Sequence, residues 1–492
     1  MQVNLRTPCR LGVRIAVRGR SQNHHSATEN ETVQKMNGIN VDSLRGQVRG
    51  QIITPDDPDY DAARAVHNGM IDKRPAAVVR VSQVADVIAC VNFARDNSLD
   101  LAVRGGGHSA PGFGTADGAL VIDFVKTSGV RVDPAARTAR SEAGATWADF
   151  NHATHAFGLA TTGGIVGTTG VSGLTLGGGI GYLSRQYGLS CDNLISADVV
   201  TADGGFLTAS ERENDDLFWA LRGGGGNFGV VTSLEFRLHP VDMVYVGVII
   251  YPLEHAETVS RFYRDHLASA PEELGAFLAF ALGPPVPFLP EEWHGKPVCI
   301  VVGMWTGEQA EGPARWQPFL DIAPVAGSMM GPMPYPALNQ AFDALQPKGI
   351  RSYWKADFLP ELSDGAIETH LRYGKTIPTV QTAVHLYPID GAVQRVGQAD
   401  TAFANRNVKF APVIAAFWDD PADTDANVTW VRDYAAALSP FSAPGGYINF
   451  MDGDDLPRVA ENYGPNYRRL TEVKTKYDPQ NLFHVNQNIP PG

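Results

Sequence analysis

From Arg74 onward, apolar residues alternate between strand-like and helix-like spacing. Ala76 to Val81 is a short β-branched run that predicts a strand; Val84, Val87, Ile88 and Val91 then recur at helical spacing, and Asp100 to Val103 predicts a second strand. A strand is expected at Ala119 to Asp123, a turn at Asp133-Pro134, a strand near Thr138 to Glu142, and a helix from about Thr146 to Phe157. The stretch from Gly163 to Gly181 breaks this rhythm, being too glycine-rich for a regular element and too apolar for a solvated linker. It reads as a buried loop shaped around a ligand. Leu217 to Leu221 has helical character, Arg222 to Gly229 is a second glycine run, and Val230 to Phe236 is again strand-like. His239-Pro240 marks a plausible domain boundary. Beyond it, Val244 to Tyr251 predicts a buried strand, and strands alternate with helical stretches to about residue 450.

A chain of 492 residues exceeds the length at which one hydrophobic core stops growing, so two domains and room for a large cofactor are expected. The 51 glycines are concentrated in a few clusters, which suggests close approach of backbone to a ligand. A net charge of −13 argues against nucleic acid as a partner, because phosphate-backbone binders need a basic face. Cys9, Cys90, Cys191 and Cys299 are widely spaced without a C-x-x-C pair, supporting neither a disulfide framework nor a metal site. No apolar run reaches membrane-spanning length, so a soluble protein of a reducing compartment, the cytoplasm, is expected. Arg6, Arg10, Arg14, Arg18 and Arg20 lie in an acid-free start that resembles an organelle transit peptide; the organelle matrix is therefore the alternative location. The simpler expectation is an N-terminal extension over residues 1–45 without fixed structure, with Met36 as an alternative start.

The most informative residues are Arg104-Gly105-Gly106-Gly107-His108, in a loop at the end of a predicted strand. Three consecutive glycines expose backbone N–H groups without side-chain obstruction, and such concavities bind anions. Arg104 could hold the loop or offset charge. A neutral imidazole against a bound cofactor is a competent nucleophile, whereas a lone loop histidine is ordinarily bonded to backbone or water. Gly224-x-Gly226-x-x-Gly229 matches the dinucleotide fingerprint as a string, but with a helix before it and a strand after it, the reverse of what the fingerprint requires. No glycine cluster ends in Gly-Lys-Ser/Thr, which disfavours phosphoryl transfer.

Four blocks, in order, carry a family resemblance across roughly residues 70–490: Arg104 to Ser109, the Gly164 to Gly179 loop, Leu217 to Gly229, and Tyr477-Asp478-Pro479-x-Asn481-Leu482-Phe483-x-x-Asn486-Gln487-Asn488-Ile489. Together they resemble FAD-linked oxidases of the berberine bridge enzyme type, including enzymes like 6-hydroxynicotine oxidase. The resemblance implies an α+β fold of the vanillyl-alcohol-oxidase/PCMH type. It implies an FAD-binding domain over 70–243, a substrate domain with an antiparallel sheet over 244–450, and a C-terminal segment, 451–492, returning to the flavin. It also implies covalent FAD through His108, and no second cysteinyl link, because Val166 stands where one branch of the family has the linking Cys. Cys191 is then a packed residue. Around the cofactor the resemblance places Arg104, Gly105, Gly106, Gly107, His108, Ser109, Val166, Thr169, Gly170, Gly173, Leu174, Gly177, Gly181, Gly229, Val231, Asn486 and Asn488. For the two asparagines the plain alternative is capping.

Many carbohydrate and alcohol oxidases of the family carry a Tyr pair spaced by two residues, the second acting as base. The matching stretch here is Tyr447-Ile448-Asn449-Phe450, so that phenol is missing. Alcohol oxidation must lose an O–H proton as hydride leaves, whereas a neutral amine needs a base less. This leans the expected substrate toward an amine or heterocyclic amine rather than an alcohol, with Tyr447 and Asn449 as orienting groups or, equally, as hydrogen-bonded interior residues of a strand. Dioxygen or another acceptor is expected to take the electrons. A nicotinamide-dependent dehydrogenase using the Gly224 cluster and a non-catalytic binding module remain as alternatives. Specificity is expected from side chains around Tyr353, Trp354, His385 and Tyr387.

Overall fold

The computed structural model describes residues 41–492. Most of the predicted N-terminal extension, with its arginines and Met36, lies outside the described residues. Its last part does not follow the expectation: Asp42–Arg45 is a helical turn with Leu44 fully buried. Just after it, the amides of Arg49 and Gly50 donate to the Asp86 carboxylate at 2.9 and 3.0 Å. Ordered packing therefore begins ahead of residue 45.

A four-stranded sheet comes first, with β1 (Gln51–Ile53), β2 (Ala77–Arg80), β3 (Leu101–Arg104) and β4 (Leu120–Asp123) in the order β1-β2-β4-β3. β4 runs parallel to both β2 and β3, and the helix Val84–Asp96 makes the crossover between them. All four residues of β4 are buried, which is why such strands read as unbroken apolar runs.

An antiparallel five-stranded sheet follows. It contains β5 (Val130–Asp133) and β6 (Thr138–Glu142) and, after the short β7 (Leu159–Ala160), β8 (Leu194–Val200), β9 (Phe206–Ser210) and β10 (Val230–Arg237), ordered β5-β6-β10-β8-β9. The helix Trp147–His155 begins where expected, because Thr146 and Asp149 form a reciprocal capping box. His239-Pro240, read as a boundary, forms a two-residue strand β11 (His239–Pro240) paired with β7. One prediction needs correction: within the glycine-rich stretch, Val171–Leu176 is a helix. Its Val171 and Thr175 are fully buried, and burial of that face outweighs the helix-weakening effect of Gly173.

The remaining strands are β12 (Met243–Pro252), β13 (Leu274–Leu282), β14 (Pro297–Trp305), β15 (Gly327–Pro334), β16 (Arg351–Ala356), β17 (Ala383–Pro388) and β18 (Phe410–Trp418). They form one antiparallel sheet ordered β15-β12-β14-β13-β17-β18-β16. Alternation divides its side chains. Leu278, Phe280 and Ile414 pack with Tyr263, Ile367 and Tyr434 of three covering helices, Ala256–Leu267, Asp364–Gly374 and Thr424–Leu438. Phe277, Ala279 and Val413 belong to the opposite layer, with Ile165, Val166 and Ile180 of the glycine-rich stretch. The fold is thus mixed α+β, as expected.

The C-terminal helix Tyr467–Tyr477 carries Lys474, which is fully buried beside an equally buried Asp478 at 2.6 Å. Lys474 Nζ also donates to the carbonyls of Asn227 and Phe483 at 2.8 and 2.9 Å. An ammonium can be buried this way because all three of its donors have acceptors. The pair fastens the C-terminal segment to the loop after the helix Asp215–Leu221.

Candidate active site

The main cavity encloses about 1900 Å³ when its open mouth is included. One wall is main chain. β3 ends at Arg104, whose Nη2 meets Asp123 Oδ2 of β4 at 2.8 Å, so the arginine holds the loop to the sheet. Gly105 and Gly106 run on from there against the stretch from Gly163 to Gly181, meeting it at Ser172 and Gly170. A Cβ on Gly106 would lie 2.4 Å from Gly170 N, and one on Gly170 would lie 2.5 Å from Gly106 N, so this approach requires glycine on both sides. Gly107 has φ +72°, a left-handed conformation that again favours glycine. Among the described residues, no acceptor takes the amide N–H groups of Gly106, Gly107 or His108.

His108 lines the cavity with its Nε2 3.0 Å from Thr168 Oγ1 and its ring against that of His67, tilted by 30° with centroids 3.9 Å apart. Burial, with His67 beside it, lowers its pKa to about 3, so the ring is neutral at neutral pH. The contact to Thr168 occupies Nε2 and leaves Nδ1 as the uncommitted nitrogen. Gly167 N donates to Asp343 Oδ1 at 2.6 Å, which fixes the turn carrying Thr168. His67, Thr168 and Asp343 escaped the sequence reading, since none stands in a recognisable motif.

Of the other expected cofactor residues, Ser109, Val166, Thr169, Gly170, Gly173, Leu174, Gly229, Val231 and Asn486 line the cavity. A Cβ on Gly173 would meet nothing within 4 Å, and the same holds for Gly226, which also lines the cavity. Gly177, Gly181 and Asn488 do not line it. A Cβ on Gly177 would strike Asn449 Oδ1 at 2.1 Å, and one on Gly181 would strike Gly163 O at 1.7 Å, so these glycines permit close packing behind the wall. The Asn488 and Asn486 Oδ1 atoms are buried without a partner, so neither caps a helix through it. Asn486 Nδ2 donates to the carbonyls of Gly226 and Phe483, both at 3.2 Å.

Tyr447 and Asn449 take the second of their two expected roles. Tyr447 is buried outside the cavity, its hydroxyl oxygen accepting from Gly179 N at 2.7 Å, Ile180 N at 3.3 Å and Asn449 Nδ2 at 2.8 Å. Asn449 reaches the cavity wall, but its amide also donates to Leu174 O. Ile448–Phe450 is a 3₁₀ turn and not a strand. Both side chains therefore pin the glycine-rich stretch, which is the interior hydrogen-bonded role. Cys191 is fully buried outside the cavity, and burial pushes its thiol pKa up. Val166 faces the cavity with no thiol to offer.

The opposite wall is a sheet face. Trp354 of β16, Ala383, His385 and Tyr387 of β17, and Val413, Ala415 and Phe417 of β18 line it at alternate positions, with Phe450 alongside. Of the residues around which specificity was expected, Tyr353 faces away, its hydroxyl donating to Asp454 at 2.6 Å.

Comparison with known proteins agrees with this architecture. A family described as an FAD binding domain matches residues 75–210, and one described as berberine and berberine like matches 446–490. An FAD-linked oxidoreductase of Dictyostelium discoideum is 32% identical over 422 residues, 85% of this chain and 89% of that protein. The (R)-6-hydroxynicotine oxidase of Paenarthrobacter nicotinovorans is 30% identical over 90% of this chain and 97% of its own. Among solved structures, 6-hydroxy-D-nicotine oxidase from Arthrobacter nicotinovorans superposes with a TM-score of 0.80 at 26% identity, covering 90% of this chain and 98% of that one. The glucooligosaccharide oxidase of Acremonium strictum shares the fold, with a TM-score of 0.80 at 22% identity over 92% and 99% of the two chains.

The chain belongs to the FAD-linked oxidoreductases of the berberine bridge enzyme and 6-hydroxynicotine oxidase type, with the PCMH-type fold. It is an FAD-binding oxidase or dehydrogenase. The site fits that cofactor: free amide donors in a glycine-walled trough suit a diphosphate, and Gly173 and Gly226 carry no side chain where one would enter the space.

Proposed function

We propose that the protein oxidises a small organic molecule, an amine, heterocyclic amine or alcohol, with FAD bound covalently through His108 and no cysteinyl link. The observation that carries this reading is the neutral imidazole of His108 at the end of the glycine trough, with Nε2 engaged by Thr168 and Nδ1 uncommitted. A neutral imidazole keeps a free lone pair on one nitrogen, as a covalent link requires, and that nitrogen is Nδ1 in the tautomer whose Nε2–H donates to Thr168. Bound there, FAD supplies hydride acceptance from a substrate C–H and onward delivery of the electrons, to dioxygen in the simplest case. Residues 70–243 and 451–492 would hold the cofactor, and residues 244–450 would present the substrate. The amides of Gly106, Gly107 and His108 would bind the diphosphate, and Asn486 would sit at a polar edge of the cofactor. The sheet face excludes water from the reacting carbon.

The nicotinamide reading is disfavoured because β10 follows the Gly224 cluster, leaving no helix N-terminus there for a pyrophosphate. Replacing His108 tests the proposal. His108→Ala should bind FAD that is released on denaturation, whereas wild-type protein retains it; covalent flavin in the variant would mean another attachment site.

A further inference from the structure

The cavity's substrate side is apolar, aromatic and uncharged. Trp354 meets Phe417 edge-on at 5.4 Å between ring centroids and Phe450 at 5.6 Å, and Tyr387 lies nearly parallel to Phe450 at 6.1 Å. Among the described residues, the one ion lining the cavity is Arg104, already paired with Asp123 in the glycine trough. A charged substrate would be desolvated with no partner, so an uncharged molecule with a flat apolar ring suits these walls.

Two ionisable side chains interrupt the sheet face. His385 Nδ1 and the Tyr387 hydroxyl share a hydrogen bond of 2.9 Å, and neither side chain bonds any other described residue. They are two apart on β17, so alternation turns both toward the cavity, and Phe277 backs them at 5.2 and 5.1 Å. We propose that Tyr387 and His385 form a proton-accepting relay, and that the substrate is an uncharged primary alcohol carried on an aromatic ring. This rests on the flavin-dependent reading above.

The step balances as follows. The alcohol carbon loses hydride, with both electrons of the C–H bond, to FAD. The O–H bonding pair becomes the second bond of the aldehyde C=O. The released proton goes to the Tyr387 oxygen while the Tyr387 proton moves to His385 Nδ1, leaving an imidazolium. Burial lowers the His385 pKa to about 4, so at neutral pH it is an unprotonated acceptor, and burial raises that of Tyr387, which favours passing a proton over ionising. The ionisable neighbours that bear on Tyr387 are the phenols Tyr182 and Tyr447. Among the described residues no carboxylate bonds His385 to trap the imidazolium, so the proton is readily returned. The relay supplies the function of the phenol that Phe450 lacks.

The test uses holoprotein as wild type, Tyr387→Phe and His385→Gln, with the flavin spectrum first confirming cofactor and fold in each. Anaerobic reduction by 4-methoxybenzyl alcohol and by 4-methoxybenzylamine is followed by flavin bleaching in H₂O and D₂O. Binding of 4-nitrophenol, an aromatic O–H donor that cannot be turned over, is measured by calorimetry. The alcohol should bleach the wild type with a solvent isotope effect. Both substitutions should slow bleaching by roughly 10²–10⁴-fold and abolish the isotope effect. They should also weaken 4-nitrophenol binding by about 10-fold. Variants that match wild type in rate and isotope effect, or a wild type bleached by the amine and not the alcohol, would overturn the proposal. Protein colourless before any substrate is added would instead refute the flavin reading itself.

Discussion

The two walls of the cavity are built from opposite materials. The trough around Gly105 to Gly107, Gly170 and Gly173 is main chain, defined by where side chains are absent. The facing sheet surface is side chain, assembled at every second position from β16, β17 and β18. A wall of backbone can serve only a ligand of fixed shape, while a wall of side chains can change its lining without changing the fold. In this molecule the first wall suits the cofactor and the second the substrate.

Substitutions should separate the two walls. The largest effect is expected from Gly106→Val, because the added atoms meet Gly170 backbone at 2.4 Å and neither segment has a flexible end to yield. Protein absorbance should show flavin lost or released on denaturation, with a destabilisation of at least ~1–3 kcal/mol. Acid is expected next. His385, on the sheet wall, has its pKa lowered to about 4, so the unfolded chain binds its proton first. Its contribution to stability is complete above pH 6.5, the ordinary histidine value, and declines as pH falls from there toward 4. Melting temperatures across that range should show the decline, and His385→Phe should blunt it.

Trp354→Ala touches the second wall alone. It should leave flavin content unchanged and raise KM by about 10-fold, matching ~1.4 kcal/mol of lost aromatic contact. Steady-state kinetics with a substrate found by flavin bleaching would measure it. The smallest effect is expected from Cys191→Ala: flavin attachment unchanged, and a loss of about 1 kcal/mol for one small buried group, read by thermal melting.

The same contrast explains what was readable in the sequence. Gly106 and Gly170 stand in dense glycine blocks because backbone contact demands them over consecutive residues, so the trough announced itself, as did His108 at its end. The helix Val171–Leu176 hid inside such a block, since its packing partners lie elsewhere in the chain. His67 meets His108 from about forty residues upstream, and Asp343 reaches Gly167 from a distant loop; no local pattern encodes either contact. Tyr447 was open to two readings for a related reason. Its spacing matched a motif, but the hydroxyl is turned to the amides of Gly179 and Ile180 rather than to the cavity. His385 and Tyr387 could be named from sequence, but their shared direction needed the register of β17 against β18.

The most direct test of covalent FAD on His108 is acid precipitation of the purified protein, with flavin absorbance recorded in pellet and supernatant. The account predicts yellow in the pellet of the wild type and in the supernatant of His108→Ala. Yellow in the wild-type supernatant would contradict the covalent link, and no yellow from protein expressed with ample riboflavin would contradict the proposed cofactor site as a whole.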